Sequence, residues 1–147
     1  MAGEQAAAGL RLLELYRGFG LAAAARVAEA VAGRAPVGLS ARAGGGRAGR
    51  SVTIFGDDVA TEPVVVEHGA TSTTVVGVPD DAAAVRAAED AVAAGADTVE
   101  ICGGKPLATA ALVEAAVGDR ATVTLVGWPF DSLEGAAGYK AAYAEAH

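Results

Sequence analysis

Residues 7–40, AAGLRLLELYRGFGLAAAARVAEAVAGRAPVGLS, lie over residues 93–126, AAGADTVEICGGKPLATAALVEAAVGDRATVTLV, without a gap at a constant offset of 86. Sixteen of the 34 positions are identical. Seven of these are alanine and carry little weight in so alanine-rich a chain. The other nine include Gly9/Gly95, Glu14/Glu100, Gly18/Gly104, Leu21/Leu107, Val27/Val113 and Arg34/Arg120. Self-similarity at a fixed spacing narrows the possible folds more than composition does, because both copies must be built from one supersecondary unit. Two unrelated amphipathic helices would not keep the glycines, the glutamate and both flanking strands in step.

Each copy reads as strand, glycine turn, helix, strand. In the second copy, 97–101 is a short strand with Val99 and Ile101 on one face and Thr98, Glu100 and Cys102 on the other. Gly103 and Gly104 permit the reversal, and Pro106 suits the first helical turn, where its missing N–H costs nothing. Ala110, Val113 and Val117 make a buried stripe, and Gly118 closes the helix. Strand–helix–strand of this length is a βαβ crossover, which implies parallel strands. Between the copies, RSVTIFGDD, EPVVVEHG and STTVVGVPDD are short β-branched runs bounded by turn residues. Asp80 is a good N-cap for a helix over 81–94 that Gly95 terminates. The expectation is a single α/β domain over 1–147 with a mainly parallel sheet. It comprises a partial repeat at 1–41, a Gly/Arg linker at 42–50, a full repeat at 51–130 and a C-terminal helix at 131–147. In that helix Tyr139 and Tyr143 share a face. Met1 aligns with Ala87 inside the corresponding helix, so either the duplication is trimmed to one and a half units or the native start lies upstream.

A chain of 147 residues buries roughly two-thirds of its unfolded surface. Its formal net charge of −7 argues against a nucleic-acid partner, which needs clustered Lys and Arg. Arg42, Arg47 and Arg50 lie in a glycine-rich stretch without aromatic neighbours and read as linker. One cysteine excludes an internal disulfide, and the two histidines, His68 and His147, leave little for a zinc site. No signal-peptide pattern and no membrane span stand out, so the expectation is a soluble, cytoplasmic protein. No metal and no cofactor are implied.

The stretch DTVEICGGKPLATAALVEAAVGDRATVTLVGW, preceded by STTVVGVPDDAAAVRAAEDAVAAGA, resembles the small bacterial proteins of domain-of-unknown-function family 6506. That family's signature is a strand and turn reading roughly I-E-L-C-G-G-F-G after a helix ending in E-G or A-G. The resemblance covers about 51–130 as a full unit and 7–41 as a partial one. LELYRGFG keeps Glu14, Gly18, Phe19 and Gly20 but has Tyr16 and Arg17 in place of Cys and the first Gly. VEICGGKP keeps Glu100, Cys102, Gly103 and Gly104 but has Lys105 and Pro106 in place of Phe-Gly. The resemblance implies a fold type and no activity.

In parallel α/β sheets, ligands bind beyond the carboxyl ends of the strands. Those ends carry Glu14, Tyr16 and Arg17, then Asp57 and Asp58, then Glu100, Cys102 and Lys105, then Trp128. Glu100 is the first catalytic candidate, since a carboxylate in an apolar strand must be paired or hold its proton, and such groups serve as general acids or bases. Glu14 is its counterpart. Cys102, before a helix start, is a candidate nucleophile, although no histidine stands ready as its base. Lys105, Arg17, Tyr16, Gly103, Gly104, Asp57 and Trp128 are candidates for holding a small polar or part-aromatic substrate. Against each stands a plainer role. Glu100 can be a structural carboxylate, Cys102 inert, Lys105 a surface cation, the aspartates a turn, His68 solvent-exposed, and Trp128 with Phe130 core or subunit contact. Asp57 and Asp58 with Glu100 also have the hard oxygens a divalent ion takes.

Two functions follow. The first is a metal-independent acid–base enzyme, an isomerase, lyase or cyclase on a small carbonyl compound, with Glu100 moving the proton and Lys105 or Arg17 holding an anionic group. The alternative is a non-catalytic small-molecule-binding or oligomer-assembly module. In that module the half-repeat would complete a neighbour's sheet, and pairing of the strand edge left exposed by the truncated copy favours a homodimer.

Overall fold

The computed structural model describes residues 1–16, 19–40 and 49–146. The contacts divide the chain into two compact units, Met1–Gly45 with Val126–His147, and Gly46–Leu125.

The second unit is a five-stranded sheet with two helices. Its strands are β3 (Arg50–Gly56), β4 (Val64–His68), β5 (Thr71–Val78), β6 (Thr98–Ile101) and β7 (Thr122–Leu125), and its helices are α3 (Asp81–Ala93) and α4 (Leu107–Val117). The spatial order is β4-β5-β3-β6-β7. β3 is parallel to β5 and β6, and β6 to β7, while β4 is antiparallel to β5. The sheet is therefore mainly parallel, with one reversed edge strand. That reversal is local: Gly69 and Ala70 form a two-residue turn between His68 and Thr71, and Gly69 adopts φ 61, the positive value such hairpin turns require.

Val52, Ile54, Val76, Val78, Val99 and Ile101 project to one face and pack against Ala84 and Ala88 of α3 and Ala110, Val113 and Val117 of α4. Both crossover helices therefore cover the same face. Each fully buried valine or isoleucine contributes roughly 1.5–3 kcal/mol of apolar burial. Asp80 caps α3, its Oδ1 accepting the Ala83 N–H at 2.7 Å, and Gly95 follows the helix at φ 96. α4 begins at Leu107, so Pro106 is the N-cap rather than a residue of the first turn. Arg50 opens β3 instead of belonging to the linker, because its N–H and that of Gly49 reach Asp97 Oδ2 and its guanidinium donates to the Ala94 carbonyl at 3.0 Å. Residues 42–48 of the proposed linker, with Arg42 and Arg47, lie outside the described residues.

The first unit holds α1 (Ala2–Ala7), β1 (Leu13–Leu15), α2 (Leu21–Val31), β2 (Val37–Leu39) and α5 (Leu133–Ala146). β1 and β2 form a parallel pair. Ala6, Leu15, Val31, Ala35 and Val37 make its core, with Ala2, Leu13, Ala24, Val27 and Leu39 packed around them. The outer edge of β2 is covered by the chain beyond Val126: Leu39 and Gly127 exchange both main-chain hydrogen bonds, and the buried Ser132 hydroxyl accepts the Val37 N–H at 3.0 Å. Among the described residues no helix is long and apolar enough to cross a membrane.

Candidate functional site

The face of the five-stranded sheet opposite the helices is lined by hydroxyls around one carboxylate. Alternation along β3 puts Ser51 and Thr53 on it, and alternation along β6 puts Thr98 and Glu100 there. Strand register sets Thr53 and Thr124 beside Glu100, and Ser51 and Thr122 beside Thr98. Ser51 Oγ and Thr73 Oγ1 are hydrogen-bonded at 3.0 Å, and Thr98 Oγ1 donates to Asp97 Oδ1 at 2.8 Å. Ser51, Thr53 and Thr98 are buried, and Glu100 is 0 % exposed. A carboxylate without water contact is tolerated only where hydrogen bonding or neutralisation replaces its hydration. Sequence inspection identified Glu100, Thr98 and their face but missed the hydroxyls of the neighbouring strands. The signal was present in RSVTIFG, where polar Ser51 and Thr53 alternate with Val52 and Ile54.

At the carboxyl end of β6 the chain turns as its glycines allow. The Cys102 N–H continues the ladder to the Ile54 carbonyl at 2.9 Å, and the Lys105 N–H closes the turn on the Cys102 carbonyl at 3.0 Å. The Gly104 N–H points at Cys102 Sγ, 3.5 Å away. Cys102 and Gly103 are half-buried and Gly104 is exposed. Lys105 is half-buried, its stem lying along Gly56, where an added Cβ would stand 3.3 Å from its Cδ. Asp57 follows directly. Its N–H bonds the Val78 carbonyl at 3.1 Å, and its Oδ1 accepts the Asp58 N–H at 2.7 Å, the hydrogen bonding of a turn. The structure thus gathers Cys102, Gly103, Gly104, Lys105 and Asp57 at neighbouring strand ends. Glu100 belongs to the same strand but lies beneath the surface. Among the described residues no group of three or more His, Cys, Asp and Glu stands together as metal ligands would.

Glu14, Tyr16 and Trp128 belong to the first unit. Glu14 lies in β1 and Tyr16 directly follows the strand; both are half-buried, and the Tyr16 hydroxyl donates to Glu14 Oε2. Trp128 packs on β2: a Cβ added at Gly38 would stand 2.8 Å from its ring and 2.7 Å from Val126 Cγ1. Its partner there is the sheet, which favours the packing role weighed for it. Arg17 lies outside the described residues. His68 ends β4 and is exposed.

Two surface hollows lie at the opposite, amino-terminal ends of the strands. One, in the second unit, is lined by Asp97, Glu114 and Gly118–Val123. The other, in the first unit, is lined among others by Arg11, Arg34, Pro36, Val37 and Tyr139. None of the candidate residues among the described ones lines either. Opposed crossover helices open a crevice at strand ends; with α3 and α4 on a single face, that geometry does not arise in this unit.

The model of the family of unknown function DUF6506 matches residues 52–141. The chain belongs to this family. The match starts in β3, spans the sheet with Glu100 and Cys102, and runs past Phe130 into α5, further than the unit read from sequence. Residues before 52 lie outside it. Comparison with curated proteins and with solved structures finds no match.

Proposed function

We propose that this DUF6506 chain is a non-catalytic assembly module, built from one βαβ unit used twice, in which Glu100 is a structural carboxylate. The observation that carries the reading is the complete burial of Glu100. The residue best suited to proton transfer has no exposed surface through which a substrate reaches it, and geometry precedes pKa in judging a general base.

The duplication is supported residue by residue. α2 and α4 span Leu21–Val31 and Leu107–Val117, an offset of 86 at both ends. The ladder Leu13↔Val37, Glu14↔Gly38, Leu15↔Leu39 is repeated as Val99↔Val123, Glu100↔Thr124, Ile101↔Leu125. Every hydrophobic residue of the first core has its counterpart, 86 positions on, in the core of the second unit. Gly9 and Gly95 share a positive φ, 102 and 96. Arg34 and Arg120 each donate to the carbonyl of the residue three earlier, Val31 and Val117, neutralising a helix end. The assembly role is supported by exposed apolar side chains, Val64, Val65 and Val66 on β4 and Phe130 before α5, the last 94 % exposed.

The acid–base reading, with Glu100, Cys102 and Glu14 as catalytic groups, keeps one favourable observation. Glu14 is half-buried and hydrogen-bonded by the Tyr16 phenol, a pair capable of passing a proton. The two readings part in a Glu100→Gln variant. A structural carboxylate predicts a loss of about 1–3 kcal/mol in urea unfolding, the cost of a mismatched buried polar group, together with a wild-type chain that self-associates. A variant as stable as the wild type, or a wild type monomeric throughout the micromolar range, overturns the assembly reading.

A further inference from the structure

β4 is the outermost strand of its sheet, and among the described residues it is hydrogen-bonded on one side only, to β5. All five of its residues are exposed, with Val64 at 60 %, Val65 at 58 % and Val66 at 41 %. Consecutive side chains on a strand point to opposite faces, so three exposed valines in a row leave both faces of β4 uncovered as well as its edge. Such an edge is a template for another strand, and folded chains usually blunt it with charge or proline. In β4 no charge interrupts the valines.

The hairpin determines which main-chain groups face outward. His68 and Thr71 close a two-residue turn and therefore exchange their hydrogen bonds with each other. By antiparallel alternation Val64 and Val66 also bond inward to β5, and the N–H and C=O of Val65 and Glu67 point away from the sheet. Pro63 is the next outward position, and having no N–H it ends the row.

We propose that β4 pairs with β4 of a second copy of this chain, antiparallel about a two-fold axis at Val65, so that two five-stranded sheets join edge to edge. The inference rests on the assembly reading above and names its interface. A two-fold at Val65 brings outward groups of both strands opposite each other. It sets Val64 against the partner's Val66 and Val65 against the partner's Val65. It also sets Glu62 against the partner's His68, a carboxylate facing an imidazole N–H. Shifting the axis to Val66 would instead oppose Val65 to the partner's Glu67 and Val64 to the partner's His68, placing polar groups on valine. One register therefore matches apolar with apolar and acceptor with donor, twice over by symmetry.

Sedimentation velocity on the full chain, wild type and Val65→Lys, tests this, with Val65→Cys and Val66→Cys oxidised and mapped by peptide mass spectrometry. The wild type is expected to be a dimer at micromolar concentration. Val65→Lys, which sets two like charges face to face, should raise the dissociation constant at least about tenfold while leaving the circular dichroism spectrum unchanged. Val65→Cys should form a disulfide between its two copies of residue 65. An oligomer indifferent to Val65→Lys overturns the β4 interface and leaves the assembly reading standing. Cross-linking of Val66→Cys without that of Val65→Cys overturns the register. A wild type monomeric at every concentration overturns both the interface and the reading beneath it.

Discussion

Position 32 and its counterpart 118 end equivalent helices with different residues, and backbone angles alone foretell opposite responses to exchange. Ala32 is the C-cap of α2, its N–H bonded to the Ala28 carbonyl, at φ 52 and ψ 43. It is the one non-glycine residue with positive φ among the described residues. Left-handed geometry costs an L-residue about 1–2 kcal/mol, which glycine escapes. Glycine in turn gives up about 0.5–1 kcal/mol more chain entropy on folding. Ala32 is exposed, so removing its methyl sacrifices little packing. Ala32→Gly should therefore stabilise the first unit by roughly 0.5–1 kcal/mol. Gly118 sits at φ 56 and ψ −142 with no atom within 4 Å of an added Cβ. The cost of Gly118→Ala is then purely conformational, about 1–3 kcal/mol for a backbone region that only glycine occupies comfortably. Urea unfolding with amide exchange resolved at α2 and α4 separates the two units. Slower opening of α2 in Ala32→Gly and faster opening of α4 in Gly118→Ala are expected. An Ala32→Gly chain less protected than the wild type would refute the reasoning, because it would mean that the left-handed cap carries no strain to release.

Other substitutions probe the packing directly. Gly38→Ala drives a methyl into Val126 and the Trp128 ring; a loss of about 1–3 kcal/mol is expected, and the fluorescence of Trp128, the only tryptophan, should shift with it. Asp80→Ala removes the side-chain acceptor of the Ala83 N–H and should lower stability by about 1 kcal/mol in thermal unfolding. Gly3→Ala would bring a Cβ to 2.6 Å from the Ala30 carbonyl oxygen, so α1 must move off α2, and faster amide exchange in α1 is the expected sign.

Much of this architecture is legible from local chemistry. The helix over 81–94 was read from Asp80 and Gly95, and both end it as expected, because caps depend on a few neighbouring residues and on φ alone. The alternation Thr98, Glu100 against Val99, Ile101 was legible for the same reason: a strand's period is built into the backbone. The Cys102–Lys105 turn follows from its glycines. The resemblance to DUF6506 rested on the same short strand and turn, where residue identity is dictated by local geometry.

The remainder depended on which segment met which. VVVEH reads as a strand in either direction; only its pairing with β5 made it an antiparallel edge, and only its place outermost left three valines exposed. Glu100 carries the same side chain whether it lines a cleft or lies sealed. Its strand neighbours, Thr53 on one side and Thr124 on the other, come from segments some fifty and twenty-odd residues away in the chain, and its burial is complete. Thus the sequence by itself determined the elements, their caps, the face of each strand and the family. The tertiary structure alone decided strand order, the single helical face and the accessibility of each candidate group. Local preferences act through bonds and neighbours a few residues apart, whereas burial is a property of everything that packs around an atom.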